Sequence, residues 1–254
     1  MDAIEFRNQM IYLALQGKLT SQNPNDESAS VLLDKIREEK EALIKDKKIK
    51  RNKNESFIYR ENNHFYEKIG KSEPIIIDNQ LLFDIPDTWI WCRLSSLGEI
   101  VGGGTPKTKN KEYWINGEIP WLTPADMKFV KGKYVAKGNR NITQLGLSKS
   151  SAKLMPKNSI IYSSRAPIGH IAIAKNELST NQGFKSLVPI DDDIVDYIYY
   201  ALIALTDEIQ LRASGTTFKE ISGTKFGETL IPLPPLNEQK RIVLKIEKIL
   251  NELN

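Results

Sequence analysis

Cysteine is nearly absent from this chain: Cys92 is the only one in 254 residues. An internal disulfide is therefore excluded, and so is a zinc site built on clustered thiolates. Histidine is almost as scarce. His64 and His170 have no Cys or His neighbour at metal-ligand spacing, so structural or incidental roles are expected for both. Long apolar runs are missing, and no stretch approaches the roughly 20 residues of a membrane-spanning helix. The opening Met1-Asp-Ala-Ile-Glu-Phe-Arg7 lacks the pattern of a secretory signal. The motifs of nucleotide chemistry are missing too. Gly102-Gly-Gly-Thr105 has neither the spacing nor the Gly-Lys-Ser/Thr end of a phosphate-binding loop, and its glycines fit a tight turn or a close backbone approach instead. The sole Pro-Pro, in Leu233-Pro-Pro-Leu236, lacks the polar head and aromatic ring with which an adenine methyltransferase holds a flipped base. Together these absences favour a soluble cytoplasmic protein with no chemistry of its own.

Present instead is enough apolar material for a core, 40% of the residues, with a modest net charge of +4. That charge permits nucleic-acid binding without demanding it. Much of the surplus lies in Lys45–Lys53, which reads as a solvated helix end or linker. Residues 3–16 read as a helix closed by Gly17. A polar loop follows, and a second helix runs from near Ser30 towards Ile49. Residues 50–75 are polar, dotted with aromatics and without a clear period, which suggests a mobile segment. A globular domain is expected from about 81 to 230, with β-like runs at Gly98–Val101, Ser159–Ser163, Gly169–Ala174 and Lys185–Pro189. Asp193–Leu211 reads as one helix. The organisation expected is thus α+β: a helical region at 1–50, a linker at 51–80, a mixed domain at 81–230 and the start of a coiled-coil helix at 231–254.

The tail carries the most information. After Ile231-Pro-Leu-Pro-Pro235 a helix should start, with Asn237 as its cap and Glu238 in its positive first turn. Ile242, Ile246, Ile249 and Leu253 then repeat at four-three-four spacing, the stripe of a coiled-coil seam or packed hairpin. Ile4, Ile11 and Leu15 form a second stripe near the other end. Self-association through these two stripes is expected, closing a twofold homodimer; the bland alternative is that the helices pair within one chain.

This tail resembles the segment that follows a target-recognition domain in specificity subunits of type I restriction–modification systems. Further stretches agree in order: Gly102-Gly-Gly-Thr-Pro106, Gly117-Glu-Ile-Pro-Trp-Leu-Thr-Pro-Ala-Asp-Met127, Ser163-Ser-Arg-Ala-Pro-Ile-Gly169, Thr180-Asn-Gln-Gly-Phe-Lys185 and Ala213-Ser-Gly-Thr-Thr-Phe-Lys-Glu-Ile-Ser222. Met10–Lys18 and Asn23–Leu33 are similar to the family's conserved helical region. The resemblance implies a noncatalytic DNA-specificity polypeptide in half-length or fragment form, with one target-recognition domain and flanking helices. It implies double-stranded DNA, methyltransferase subunits and a restriction subunit as partners. S-adenosylmethionine, ATP and Mg²⁺ would belong to those partners, leaving this chain without cofactors.

Sequence reading needs polar side chains at base edges and cations on the flanking phosphates. Within the framework of the resemblance, Lys107, Lys109, Lys111 and Tyr113 lie on a candidate DNA-contacting loop whose bland reading is a solvated surface loop. Arg165 is either a phosphate or guanine clamp or a structural arginine. Thr216, Thr217 and Lys219 are either DNA contacts or a helix cap. Motifs shared by members with different targets cannot set the target. Specificity is therefore expected in Lys128–Lys149, which carries Lys128, Lys131, Lys133, Asn139, Arg140 and Asn141; the bland reading of this stretch is a decorated β-hairpin with no DNA contact. Two rivals stand beside this reading: a scaffold protein that reads no DNA, and a Mg²⁺ nuclease of the PD-(D/E)xK type built on Pro86-Asp87 and Asp126-Met127-Lys128.

Overall fold

The computed structural model describes residues 3–216 and 219–252, with the backbone alone at residues 3 and 4. From the N-terminus come α1 (Ala3–Leu15), α2 (Ala29–Lys45), β1 (Ser56–Glu61), β2 (His64–Ile69), β3 (Ile75–Ile76) and β4 (Ile90–Arg93). There follow β5 (Gly98–Gly102), β6 (Ile119–Leu122), β7 (Tyr134–Val135), β8 (Arg140–Ile142), α3 (Gln144–Ser148), β9 (Ile160–Ser164), β10 (Ile168–Ala174), β11 (Ser179–Thr180) and β12 (Lys185–Pro189). Then come α4 (Val195–Ala204), α5 (Thr206–Leu211), α6 (Gly223–Gly227), β13 (Leu230–Leu233) and α7 (Leu236–Glu252). The mixed α+β class is as expected, but the chain divides elsewhere than at 80 and 230. One compact unit is Met1–Gly98, Asp196–Leu205 and Gly227–Asn254; the other is Glu99–Val195 and Thr206–Phe226.

In the first unit, α1 ends where Gly17 turns left-handed at φ +70°, a conformation that favours glycine. Ser28 caps α2 by accepting from the Ser30 amide. Residues 51–80, read as a linker, instead form an antiparallel meander of β1, β2 and β3. Its turn is Asn62-Asn63, both at positive φ, the backbone that a two-residue hairpin turn requires. Ile58, Phe65 and Ile77 bury the inner face in a cluster with Trp91 and Leu230. β4 pairs with β13, whose Pro232 is tolerated because this sheet has only two strands, each with a free edge. Tyr197 on α4 donates its hydroxyl to the Pro232 carbonyl at 2.5 Å, and burial pushes that phenol well above its ordinary pKa.

At the start of α7 the Gln239 amide donates to the Pro235 carbonyl, so Asn237 lies inside the first turn and is not its cap. Glu238 is fully buried and accepts from Thr20 Oγ1 (3.1 Å), Gln22 Nε2 (2.7 Å) and Trp89 Nε1 (2.9 Å). Arg241 adds a 2.6 Å ion pair with Asp26. α1 and α7 pack on each other within one chain. Ile11, Leu15, Ile242 and Ile246 are therefore core residues, as in the arrangement that pairs the helices within one chain. Ile249 is half-buried. Leu253 and the side chain of Ile4 lie outside the described residues.

The second unit holds a five-stranded sheet in the order β5-β12-β9-β10-β7 and a three-stranded sheet β11-β6-β8. All four β-like runs are strands here, shifted by at most a residue or two. Leu122, Met127, Val135, Ile161, Ala172 and Phe184 build its main core. Two readings need correction. The Lys128–Lys149 stretch is not a hairpin: β7 joins β10 in parallel, whereas β8 joins β6 antiparallel. Asp193–Leu211 is not one helix but α4 and α5, interrupted at Leu205. Next to the break Thr206 packs against Gly169 and accepts from the Tyr162 hydroxyl at 3.3 Å, tertiary contacts to which helical periodicity is blind.

Candidate nucleic-acid interface

The glycine run works by close approach. The Gly104 amide donates to the Thr180 carbonyl at 2.9 Å, and the indole of Trp121 donates to the Gly104 carbonyl at 2.9 Å. A methyl group on Gly103 would collide with the Asn181 carbonyl, and one on Gly104 with the backbone around Ser151 and Ala152. Neither glycine has a left-handed φ, so space and not backbone freedom is what demands them. Gly103→Ala should therefore cost about 1–3 kcal/mol through overpacking, seen as a lower melting temperature. An unchanged melt would show that the Asn181 strand end yields.

This anchor carries the lysine loop. Thr105 donates to Gln182 at 2.5 Å, Asn110 caps the Glu112 amide at 3.1 Å, and the Trp114 indole donates to the Lys107 carbonyl at 3.3 Å. Lys107, Lys109 and Lys111 are all exposed on it, while Tyr113 is half-buried. The Tyr113 carbonyl accepts from the Thr143 amide at 3.0 Å, and the Thr143 hydroxyl donates to Glu112 O at 2.8 Å while capping α3. The loop is thereby tied to the end of β8.

Arg140 and Asn141 on β8, and Asn139 just before it, are exposed, and β8 is the edge strand of its sheet. The Arg140 guanidinium lies 3.6 Å from the centroid of the Trp114 ring, a cation–π stack that fixes its plane. Asn141 Nδ2 donates to the Gly117 carbonyl at 3.1 Å, which uses one of its two amide hydrogens. Asn139 is held through its backbone amide by Asp126 Oδ1 at 3.0 Å. Asp126 is almost buried, and its other oxygen takes both the amide and the hydroxyl of Thr123 at 2.7 Å. One carboxylate of the nuclease alternative is thus a brace between loops; the other, Asp87, is exposed and paired with Arg60.

Lys128 and Lys131 are exposed, and the Lys133 ammonium lies 5.4 Å from the Tyr134 ring. Burial, together with the charge of Lys128, holds the His170 imidazole below its ordinary pKa. A separate group surrounds Arg165, where Glu220 receives Arg165 at 3.4 Å and Lys185 at 3.2 Å. This pairing supports the structural reading of Arg165. Reciprocal backbone bonds between Ser214 and Glu220 close the loop that exposes Thr216 and Lys219; Thr217 lies outside the described residues. The cap of α6 falls to Ser222, whose hydroxyl accepts from the Lys225 amide at 3.2 Å.

The fold therefore joins the 107–113 loop to residues 139–143. It also links Arg165 to the same neighbourhood through the Ser164 amide, which donates to Gly183 beside Gln182. Two contributors escaped the sequence reading. Trp114 is the platform for Arg140, and Gln182 is the anchor of Thr105. The only sequence signal for Trp114 was a large aromatic beside a lysine cluster.

A family model described as "Type I restriction modification DNA specificity domain" matches residues 86–254. The type I restriction enzyme MjaIX specificity subunit of Methanocaldococcus jannaschii is 42% identical over 160 residues, covering 62% of this chain and 37% of that protein. The EcoAI specificity subunit of Escherichia coli is 27% identical over 265 residues, covering 98% of this chain and 40% of that protein. Among solved structures, the HsdS subunit from Thermoanaerobacter tengcongensis aligns with a TM-score of 0.51 at 25% identity, covering 68% of this chain and 40% of the other. A chain from a study of type I R-M complex assembly aligns over 100% of this chain and 53% of its own length, with a TM-score of 0.53 at 20% identity. The chain thus spans about two fifths of the length of the curated relatives it matches.

Proposed function

We propose, from the premise that this chain belongs to the type I restriction modification DNA specificity family, that it is a DNA-reading polypeptide with one target-recognition domain. In this reading it carries no chemistry of its own and acts in the cytoplasm. It directs a methyltransferase subunit to an adenine and brings a restriction subunit to the same DNA. S-adenosylmethionine, ATP and Mg²⁺ act on those partners. No helix among the described residues is long and apolar enough to cross a membrane.

The observation that carries the DNA reading is the edge strand β8. Arg140 is pre-oriented by Trp114, Asn141 stands beside it, and a pinned lysine loop runs alongside. Arginine matches the acceptor pair of guanine and asparagine the donor–acceptor pair of adenine. A strand edge with both, flanked by cations, has the composition of a base-reading surface with phosphate holders. Arg140→Ala or Asn141→Ala should relax preference at one position of the bound sequence, with a loss of about 1–3 kcal/mol. Lys107→Ala or Lys109→Ala should weaken binding to all sequences alike and flatten the salt dependence by about one unit of slope. Selection of bound duplexes from a random pool, with methyltransferase subunit present, measures both. If exchanging the whole 128–149 segment leaves the selected sequence unchanged, the assignment fails.

A further inference from the structure

Phe129 is the most exposed large aromatic among the described residues, 76% open to solvent. It ends the 3₁₀ turn Asp126–Phe129. The backbone beneath the ring is anchored on both sides. Met127 on one side is buried in the core of the second unit, and Val130 on the other packs against the same core. The Val130 amide closes the turn on the Met127 carbonyl at 3.3 Å. The Asp126 brace fixes the base of the turn to Thr123 and Asn139, and Gly138 sits so close to that carboxylate that a Cβ would lie 2.9 Å from Oδ2. The backbone that carries the ring is thus held in place, and the ring is open to water just ahead of the chain that leads into β7 and β8.

The surroundings of the ring select its partner. Lys128 and Lys131 flank it, both exposed. A projecting apolar ring between cations suits a polyanion with flat apolar faces inside, and duplex DNA has that chemistry. Apolar wedges unstack a base step while cations hold the adjacent phosphates. We propose that Phe129 is a stacking wedge that inserts at a base step of duplex DNA, with Lys128 and Lys131 on the flanking phosphates. The proposal rests on the DNA-reading function above and adds deformation of the duplex to the reading of base edges.

The test uses the full chain and a duplex that it recovers from a random pool, carrying 2-aminopurine at successive adenine positions. Wild type should raise the fluorescence at one step, as a base leaves its stack. Phe129→Ala should abolish that rise and weaken binding roughly tenfold, as expected for one lost stacking contact, with the salt slope unchanged. Phe129→Trp should retain both signals, and matching circular dichroism of the variants shows that the fold is kept. Equal affinity and equal fluorescence for wild type and Phe129→Ala would overturn the wedge while leaving DNA reading in place. Intact DNA binding by Phe129→Ala with loss of methyltransferase-subunit association would overturn it in favour of a protein contact. Failure of the wild-type chain to enrich any duplex would overturn the DNA reading itself, and the wedge with it.

Discussion

Ile246→Asp should lower the melting temperature sharply and leave the solution mass of the chain unchanged. Ile246 is 2% exposed on α7, among Ile242 and Val243 and in a helix that packs on α1. An aspartate there has no partner and must either bury its charge or bind a proton, at a cost of about 4 kcal/mol or more. The same substitution would have a different signature if the stripe were a seam between two chains: a folded protein with half the mass. Light scattering combined with thermal melting separates the outcomes. A variant that keeps its melting point but loses half its mass would refute packing within one chain. Ile249, half-buried one turn further on, should tolerate the exchange better.

The second large effect is expected at Glu67. Its carboxylate is 2% exposed and accepts from Arg93 Nε at 2.9 Å, Arg93 Nη2 at 2.6 Å and Ser56 Oγ at 2.5 Å. Burial alone would push its pKa up, but the bonds from Arg93 and Ser56 and the arginine charge outweigh this and hold it below the ordinary glutamate value. Glu67→Leu leaves the largely buried Arg93 guanidinium with neutral partners, the Glu228 carbonyl and Gln80 Oε1, in place of its carboxylate and should cost about 3–5 kcal/mol. The double variant with Arg93→Leu should recover much of that loss, because the pair's attraction is largely offset by its desolvation. The sign of the pH dependence follows from the lowered pKa. The contribution is fully present above the ordinary glutamate range and disappears as pH falls through the lower folded-state value. The stability gap between wild type and Glu67→Gln should therefore narrow only on the acid side of that range. A gap that stays constant into strong acid would show that Glu67 is not the titrating group.

What could be read from residues alone was local. Gly17 closes α1 because a left-handed end favours glycine, and the runs Ser159–Ser163 and Gly169–Ala174 are strands because their apolar, β-branched composition suits a buried sheet. The ordered motifs were enough to identify the family, since they are contiguous and the resemblance needs no contact map. The 50–75 meander was missed because its signal is an Asn-Asn turn with half of each strand facing water, which dilutes alternation into apparent polarity. The Lys107–Tyr113 loop and the Asn139–Asn141 strip were each legible as polar and basic. That they adjoin was not, because the bond from the Thr143 amide to Tyr113 and the stack of Arg140 on Trp114 span 26 to 30 residues of chain.

Composition and order along the chain were enough for the class, for the family and for picking out the polar and basic stretches. Tertiary structure alone decided what each of their side chains is free to do. Asp126 became a brace, Arg165 a partner of Glu220, and the stripes at both ends each other's cover within one chain. The physical reason is common to all three. An apolar stripe must leave water and a charge that becomes buried must find hydrogen-bond or ionic partners, and only the folded chain determines which residue is buried and which meets that demand.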